Sequence, residues 1–333
     1  MTLIPLYLNK NQDRRLRAGH IWIYNNEINT QRSPLKTLVP GQTVNVYSHE
    51  NKPLGTAYVN PHSLICARLL TTQLDIELNR QFFTQRMQVA LSLRQRLFDA
   101  PYYRLIYGES DGLPGLVVDR FDQVVVVQIT TAGMEQAREQ IVAALDNLLN
   151  PEIIVLRNDT LMRELEGLPA VVEVVKGSTN GVVILRENQV TFETNVLTGQ
   201  KTGWFYDHRM SRARACHYAA GQKILDVFSY IGGWGIQAAV AGAKQVWCVD
   251  SSQKALDMLS NNATLNHVSD TVKTLQGDAF DVLKNLRNSG EKFDMIILDP
   301  PAFIKRKKDQ AAGETAYRRI NQLALQLLTD QEF

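Results

Sequence analysis

The chain has 333 residues, 44% hydrophobic and 21% charged, and a formal net charge of +2. That length admits two or three domains at ~100–200 residues each, and the composition is that of an ordinary globular protein. It excludes a bilayer-spanning chain, since no run approaches the ~20 apolar residues required, and the charge alone is too small to prove a nucleic-acid partner.

The N-terminus, Met1 to Pro5, lacks the zones of a signal peptide. Cys66, Cys216 and Cys248 are odd in number and far apart, which predicts reduced thiols and a cytoplasmic protein. His20, His49, His62, His208, His217 and His267 show no metal-ligand spacing with them, so no metal is expected. Basic residues cluster at Lys10, Arg14, Arg15 and Arg17, at Arg209, Arg212 and Arg214, and at Lys305 to Lys308. Such runs are usually solvated faces, but two of these flank segments marked out below for other reasons.

Residues 1–72 read as a small all-β unit. Val44 and Val46 alternate with polar neighbours, Asn51-Lys52-Pro53 turns, and Leu54 to Val59 and Leu64 to Leu70 follow as strands. Ahead of them Arg14, Arg17, His20 and Trp22 set basic residues beside an aromatic. Residues 73–190 read as a mixed α+β unit. A helix over about 75–98 would place Phe82, Phe83, Val89, Leu93 and Leu97 on its apolar face. Strands follow at Tyr102 to Tyr107, Val124 to Ile129, Ile153 to Arg157, Val171 to Val175 and Val182 to Arg186, with a turn at Gly108 to Gly115 and a helix near Glu135 to Leu149.

From about residue 191 strands and helices alternate, the sign of a parallel, Rossmann-like sheet. Strands are expected at Ile224 to Val227, Val246 to Val249, Val272 to Gln276 and Met295 to Leu298. Helices are expected at 235–243, 252–266, 279–286 and 317–328, the last with Ile320, Leu323, Ala324 and Leu327 on one face.

Ligands of wound α/β sheets sit outside the carboxyl ends of the strands. Asp226, Asp250, Asp278 and Asp299 end four successive strands here, with Ser251 and Ala279 beside two of them. Gly232, Gly233 and Gly235 let backbone approach a ligand. Asp250 is placed to accept both ribose hydroxyls, Asp278 to meet an adenine edge and Asp226 to meet an ammonium. A nicotinamide site would carry glycines where Asp226 stands, and a carboxylate there would repel pyrophosphate. S-adenosylmethionine, with its cationic methionine end, is the expected cofactor.

Asp299-Pro300-Pro301 fixes two φ angles and aims its carboxylate and carbonyls in one direction. Asp299 and Pro300 are therefore the expected catalytic residues, gripping an exocyclic amine such as that of cytosine. Phe303 would stack on the base, and Lys305, Lys307 and Lys308 would receive phosphates. Methylation at cytosine carbon-5 needs a thiolate added first at carbon-6. None of the three cysteines is placed for that: Cys66 lies in the β unit, Cys216 in a helix before the sheet and Cys248 within a strand.

Three stretches resemble the PUA-containing large-subunit ribosomal RNA methyltransferases that make 5-methylcytosine. Arg14 to Trp22 resembles their PUA signature, Gly108-Glu109-Ser110-Asp111-Gly112-Leu113-Pro114-Gly115 to Arg120 their central hallmark, and Gly199-Gln200-Lys201-Thr202-Gly203-Trp204-Phe205-Tyr206-Asp207-His208-Arg209 their entry to the methyltransferase domain. The last is shared with a sister group of guanine-N7 enzymes. The resemblance implies a PUA-like RNA-binding barrel at 1–72, a central domain at 73–190 and a methyltransferase domain at 191–333. It also implies that Gln200, Lys201, Thr202, Asp207, Arg209, Phe228, Ser229 and Tyr230 join the cofactor site, and that ribosomal RNA is the partner. In that family the nucleophilic cysteine lies in a later motif and the sheet has more strands. The sequence is therefore expected to be a truncated form with an incomplete sheet. Transfer to a base nitrogen, which needs no thiolate, and a non-catalytic RNA-binding protein are the rival expectations, and a homodimer is compatible with the sequence.

Overall fold

The structure, a computed structural model, describes residues 2–329. It divides into two compact units, Met1–Val183 with Asn195–Trp204, and Ile184–Thr194 with Phe205–Phe333.

The first unit opens with β1 (Ile4–Tyr7), α1 (Arg14–Arg17), β2 (Trp22–Tyr24), β3 (Thr43–Tyr47), β4 (Pro53–Val59) and β5 (Ile65–Thr71). These strands form a sheet in the order β1-β3-β4-β5-β2. Register shifts at Val46/Tyr47, Thr56/Ala57 and Ile23/Tyr24 are the kind of irregularity that coils a sheet toward a barrel. At Gly55, φ is +139° and a Cβ would fall 1.9 Å from the Thr71 carbonyl oxygen, so only glycine allows that approach. Leu6, Leu8, Ile23, Val44, Val46 and Val59 fill the interior.

The chain continues through α2 (Arg80–Leu97), β6 (Tyr102–Tyr107), β7 (Leu116–Phe121), β8 (Val124–Ile129), α3 (Ala132–Gln136), α4 (Arg138–Leu149), β9 (Ile153–Asn158), α5 (Leu161–Leu165) and β10 (Val171–Lys176). The sheet order is β10-β9-β8-β7-β6, and α2 and α4 cover it with Phe83, Met87, Leu91, Ile141 and Leu145. Tyr58 of β4 belongs to the same core, and its hydroxyl donates to the Pro114 carbonyl at 2.8 Å. Tyr58 and Leu70 thus lend part of the first sheet to the second core, while the interior of the first sheet remains a cluster of its own.

The face expected of α2 is half wrong. Val89, Leu93 and Leu97 point to solvent at 73%, 48% and 62% exposure, while Phe83, Met87, Ala90, Leu91 and Arg94 are buried. A second set at helical spacing wins because Arg94 can bury its stem while its guanidinium meets Asp111 at 2.6 Å. Sequence reading also passed over β7, whose Leu116, Val118 and Phe121 are buried, because the glycine-rich turn before it dominated the signal.

A buried polar knot ties this unit together. Glu166 takes Arg68 Nη1 at 3.1 Å on Oε1, and Asn60 Nδ2 at 2.8 Å and the Ala132 N–H at 3.3 Å on Oε2.

β11 (Val182–Glu187) and β12 (Val190–Asn195) form a hairpin whose residues 184–194 belong to the second unit. There follow α6 (Arg209–Cys216), β13 (Lys223–Val227), α7 (Gly235–Val240), β14 (Gln245–Asp250), α8 (Gln253–Leu265), β15 (Val272–Gln276), α9 (Ala279–Asn288), β16 (Met295–Leu298) and α10 (Gln310–Leu325). The last four strands run parallel in the order β15-β14-β13-β16. The chain builds outward from β13 and then returns to place β16 on its other side, creating a switch point between them. β16 ends the sheet among the described residues. Ile320 and Leu323 of α10, with Leu327 just past its end, pack with Leu225, Val227 and Val249; the helix begins well before the expected residue 317 and stops at Leu325 rather than 328. Asn262 of α8 rivets the hairpin, accepting from the Glu193 N–H at 2.7 Å and donating to the Glu193 carbonyl at 3.1 Å.

Candidate cofactor and acceptor site

The site grows from the carboxyl rim of the parallel sheet. The strands carry Asp226 inside β13 and Asp250 at the end of β14, with Asp278 just after β15 and Asp299 just after β16. All four expected acids thus serve one rim, but they do different work there.

Asp250 organises the loop after β13. Its Oδ2 accepts from the Tyr230 N–H and its Oδ1 from the Ser252 N–H, both at 2.9 Å. The N–H groups of Phe228 and Ser229 both donate to the Val249 carbonyl. Held this way, the loop places Phe228 (φ +69°) and Tyr230 (φ +49°) in left-handed backbone that bulky residues avoid. Strain of this kind costs ~1–3 kcal/mol per residue and persists where surroundings over-determine it, typically at ligand sites. Gly232 adopts φ +90° in the same loop. Gly233 is buried, and so is Ser229, whose hydroxyl finds no partner among the protein's atoms. Phe205 meets Tyr230 edge-on at 5.8 Å.

Asp226 is enclosed by the protein. It is fully buried, Oδ2 accepts from the Gly235 N–H at 2.9 Å, and Oδ1 has no partner. A Cβ on Gly235 would lie 2.5 Å from Cys248 Sγ and 3.0 Å from Asp226 Oδ2, so this glycine serves close packing. One oxygen of Asp226 thus holds the start of α7, and the other is left without a protein partner. Burial pushes the Asp226 carboxyl up to about 7, opposed by the Gly235 N–H and reinforced by Asp299 and Asp250.

This has a sign. Between roughly pH 4, where a free aspartyl titrates, and about 7 the folded protein keeps a proton that the unfolded chain has lost. Stability from this group therefore falls as pH rises through that window. Asp226→Asn is expected to raise Tm relative to wild type at pH 8 and much less at pH 5. Equal shifts at both pH values in thermal melts would refute the assignment.

Asp278 is exposed and caps α9, its Oδ1 accepting from the Phe280 and Asp281 N–H groups; Ala279 behind it is buried. Ser251 is exposed beside Asp250. Asp299 is 35% exposed at its side chain. Trp234 Nε1 donates to its Oδ2 at 3.2 Å, and His208 Nε2 stands 3.6 Å from the same oxygen. Neither Trp234 nor His208 was singled out from sequence. Their grouping depends on the switch point, which only the strand order reveals.

Phe303 is not open for stacking as expected. It is half-buried, with its ring 4.7 Å from Tyr317 and 6.1 Å from Phe280, and its N–H donates to the Tyr317 hydroxyl at 3.2 Å. Pro300 is half-buried, and Lys305, Lys307 and Lys308 are exposed. Asp207 is exposed in the turn before α6, and Arg209 begins that helix half-buried, its carbonyl accepting from Asn188 Nδ2.

Gln200, Lys201 and Thr202 fall in the first unit. Gln200 and Lys201 are exposed, Lys201 with φ +49°. Thr202 is fully buried and does not open to a ligand; its hydroxyl donates to Asp119 Oδ2 at 2.5 Å. Asp119 also receives Arg104 at 2.8 and 2.9 Å. In the same unit Arg14, Arg17 and His20 are exposed, although Arg17 is paired with Asp13 at 2.7 Å. Trp22 is 37% exposed and its indole N–H reaches Glu109 at 3.0 Å.

Residues 6–72 match the model of a PUA-like domain, and residues 162–331 that of an S-adenosylmethionine-dependent methyltransferase. Ribosomal RNA large subunit methyltransferase I of Serratia proteamaculans is 36% identical over 330 residues, covering 98% of this chain and 83% of the relative. The protein of that name from Yersinia pseudotuberculosis is 37% identical over 331 residues with the same coverage. The chain belongs to the S-adenosylmethionine-dependent ribosomal RNA large-subunit methyltransferase family.

A candidate S-adenosylmethionine-dependent methyltransferase from Streptococcus mutans shares the fold, with TM-score 0.82, 23% identity, and coverage of 98% of this chain and 83% of that one. A second candidate methyltransferase, solved with S-adenosylhomocysteine, gives TM-score 0.83 at 23% identity. Each match takes in 98% of this chain and 83–84% of the neighbour. The cofactor of this methyltransferase is S-adenosylmethionine, and the loop fits it: a strained, preset turn, a strand-end carboxylate and an unpartnered buried hydroxyl converge after β13 and β14. No described helix is long and apolar enough to cross a membrane.

Proposed function

We propose that this chain binds S-adenosylmethionine along the rim of β13, β14 and β15 and presents to it a base of large-subunit ribosomal RNA, received at the Asp299-Pro300-Pro301 loop. The observation that carries the reading is the position of Asp299. It stands across the switch point from the cofactor loop, half open to solvent and held by Trp234. The RNA partner is supported by the names of the relatives and by the PUA-like match. Arg14, Arg17, His20 and Trp22 on the first unit, and Lys305, Lys307 and Lys308 on the second, would meet RNA. Asp250 would hold the ribose, Asp278 the adenine edge, and Phe228, Ser229 and Tyr230 the remaining walls. The cofactor supplies an activated methyl group; the residues named bind and orient.

The product we favour is 5-methylcytosine, which suits a loop able to accept from an exocyclic amine. That product needs a thiolate at carbon-6, and none of the three cysteines in this sequence is open to supply it. Cys66 and Cys248 are fully buried; burial pushes the Cys66 thiol up to about 11 and also raises that of Cys248 well above its ordinary range, with Asp226 beside it adding to the effect. Burial also raises the thiol of Cys216, against the pull of Arg212. Neutral, enclosed thiols are poor nucleophiles. That same observation favours transfer to a base nitrogen as the second reading, because an amine lone pair attacks without a thiolate.

Incubating the protein with labelled S-adenosylmethionine and large-subunit ribosomal RNA, then digesting the RNA for mass spectrometry, separates the readings. 5-Methylcytidine would support the first and show that one of the three cysteines opens to act, against the thiol argument above; N-methylated nucleoside supports the second. RNA binding with no heat of cofactor binding in calorimetry would overturn both.

A further inference from the structure

The geometry points to Trp234 as a positioning residue for Asp299, acting across the switch point to aim the acceptor loop; this rests on the reading of that loop as the receiver of the base. Trp234 sits at the end of the cofactor loop, immediately before Gly235, whose N–H is bound by the buried Asp226. Its backbone is thereby tied to β13, while its indole N–H reaches over to Asp299 Oδ2 after β16 at 3.2 Å. One carboxylate oxygen is thus engaged from the cofactor side, which leaves Oδ1 to meet the acceptor. His208 Nε2 at 3.6 Å completes the same side, with its ring 5.8 Å from that of Trp234.

The indole itself is backed. The Arg212 guanidinium lies 5.8 Å from its ring centroid. Arg212 is buried, pairs with the fully buried Glu187 side chain at 2.7 Å and donates to the Phe205 carbonyl at 2.6 Å. Glu187 also accepts from Gln237 of α7 at 3.0 Å. A buried ion pair is weak evidence for stability, because its desolvation offsets its attraction; one that braces an aromatic ring next to a strand-end carboxylate is better explained by orientation. Trp234 therefore links the loop that holds the cofactor to the loop that receives the base, through a single directional bond.

The test uses the full chain and Trp234→Phe, which keeps an aromatic ring and removes the N–H. Binding of a short single-stranded oligocytidylate is measured in saturating S-adenosylhomocysteine, beside binding of S-adenosylhomocysteine alone. The expected result is a roughly tenfold loss of oligocytidylate affinity, the effect of one hydrogen bond to a charged group. Affinity for S-adenosylhomocysteine should stay within about twofold. Unchanged oligocytidylate binding, or a parallel loss of both ligands, overturns the proposal. The indole N–H signal of Trp234 in a nitrogen-15 spectrum, assigned by its absence in Trp234→Phe, should also move in Asp299→Asn; a stationary signal overturns it as well. Wild type that binds no S-adenosylhomocysteine would sink the underlying site and the proposal together. Wild type that binds it, with Trp234→Phe indistinguishable toward oligocytidylate, sinks the proposal alone.

Discussion

Asp250→Ala is expected to raise the dissociation constant for S-adenosylmethionine about 100-fold. The carboxylate closes β14, and each oxygen already accepts one backbone N–H, from Tyr230 and from Ser252. Each retains a lone pair for a ribose hydroxyl. Hydrogen bonds to a charged group contribute ~1.5–3 kcal/mol apiece, so losing two weakens binding by about 3 kcal/mol. The variant also frees the Tyr230 N–H and lets the strained loop relax away from its binding shape. Asp250→Asn keeps one acceptor and should fall between the two. Calorimetric titration decides it: affinity within fivefold of wild type would remove Asp250 from the site.

Glu166→Ala carries the largest expected loss of stability, about 3–5 kcal/mol, the range for deleting one partner of a buried ion pair. The Arg68 and Glu166 side chains are 6% and 3% exposed, so deletion strands a buried guanidinium together with Asn60 Nδ2 and the Ala132 N–H. Replacing both charges, with Arg68→Met and Glu166→Leu together, should recover much of that loss because no unpaired charge is left inside. Urea unfolding of the wild type and the two variants checks this. A double variant no more stable than Glu166→Ala would show that Arg68 contributes by packing alone.

Much of the second unit was readable in advance. Apolar runs ending in an acid, each followed by a helix-period stretch, mark the four parallel strands and the Ile320-Leu323 face of α10 because period and punctuation agree there, although Leu327 packs from beyond the helix end. Helix α2 misled because two apolar sets share its 3.6 period, and a buried arginine, invisible to a hydrophobic pattern, decided between them. Asp226 stands on the expected strand, but its hold on the Gly235 N–H is not legible in the sequence. Sequence shows that an acid stands at a strand end, but burial decides whether it meets a ligand or a backbone N–H. Thr202 shows the same limit. The two most specific motifs, at 108–120 and 199–209, meet through Asp119 and Thr202, a link spanning 83 positions that no local pattern encodes. Glu187, Arg212 and Trp234 are likewise joined only by the fold.

The left-handed turns at Phe228 and Tyr230 bear on how quickly this protein captures its cofactor. Backbone already locked by Val249 and Asp250 has little freedom left to surrender, so docking should proceed as a single bimolecular phase, without a slower rearrangement behind it. Glycine at either position would ease the unbound turn and, by the same relief, turn capture into a search among loop shapes.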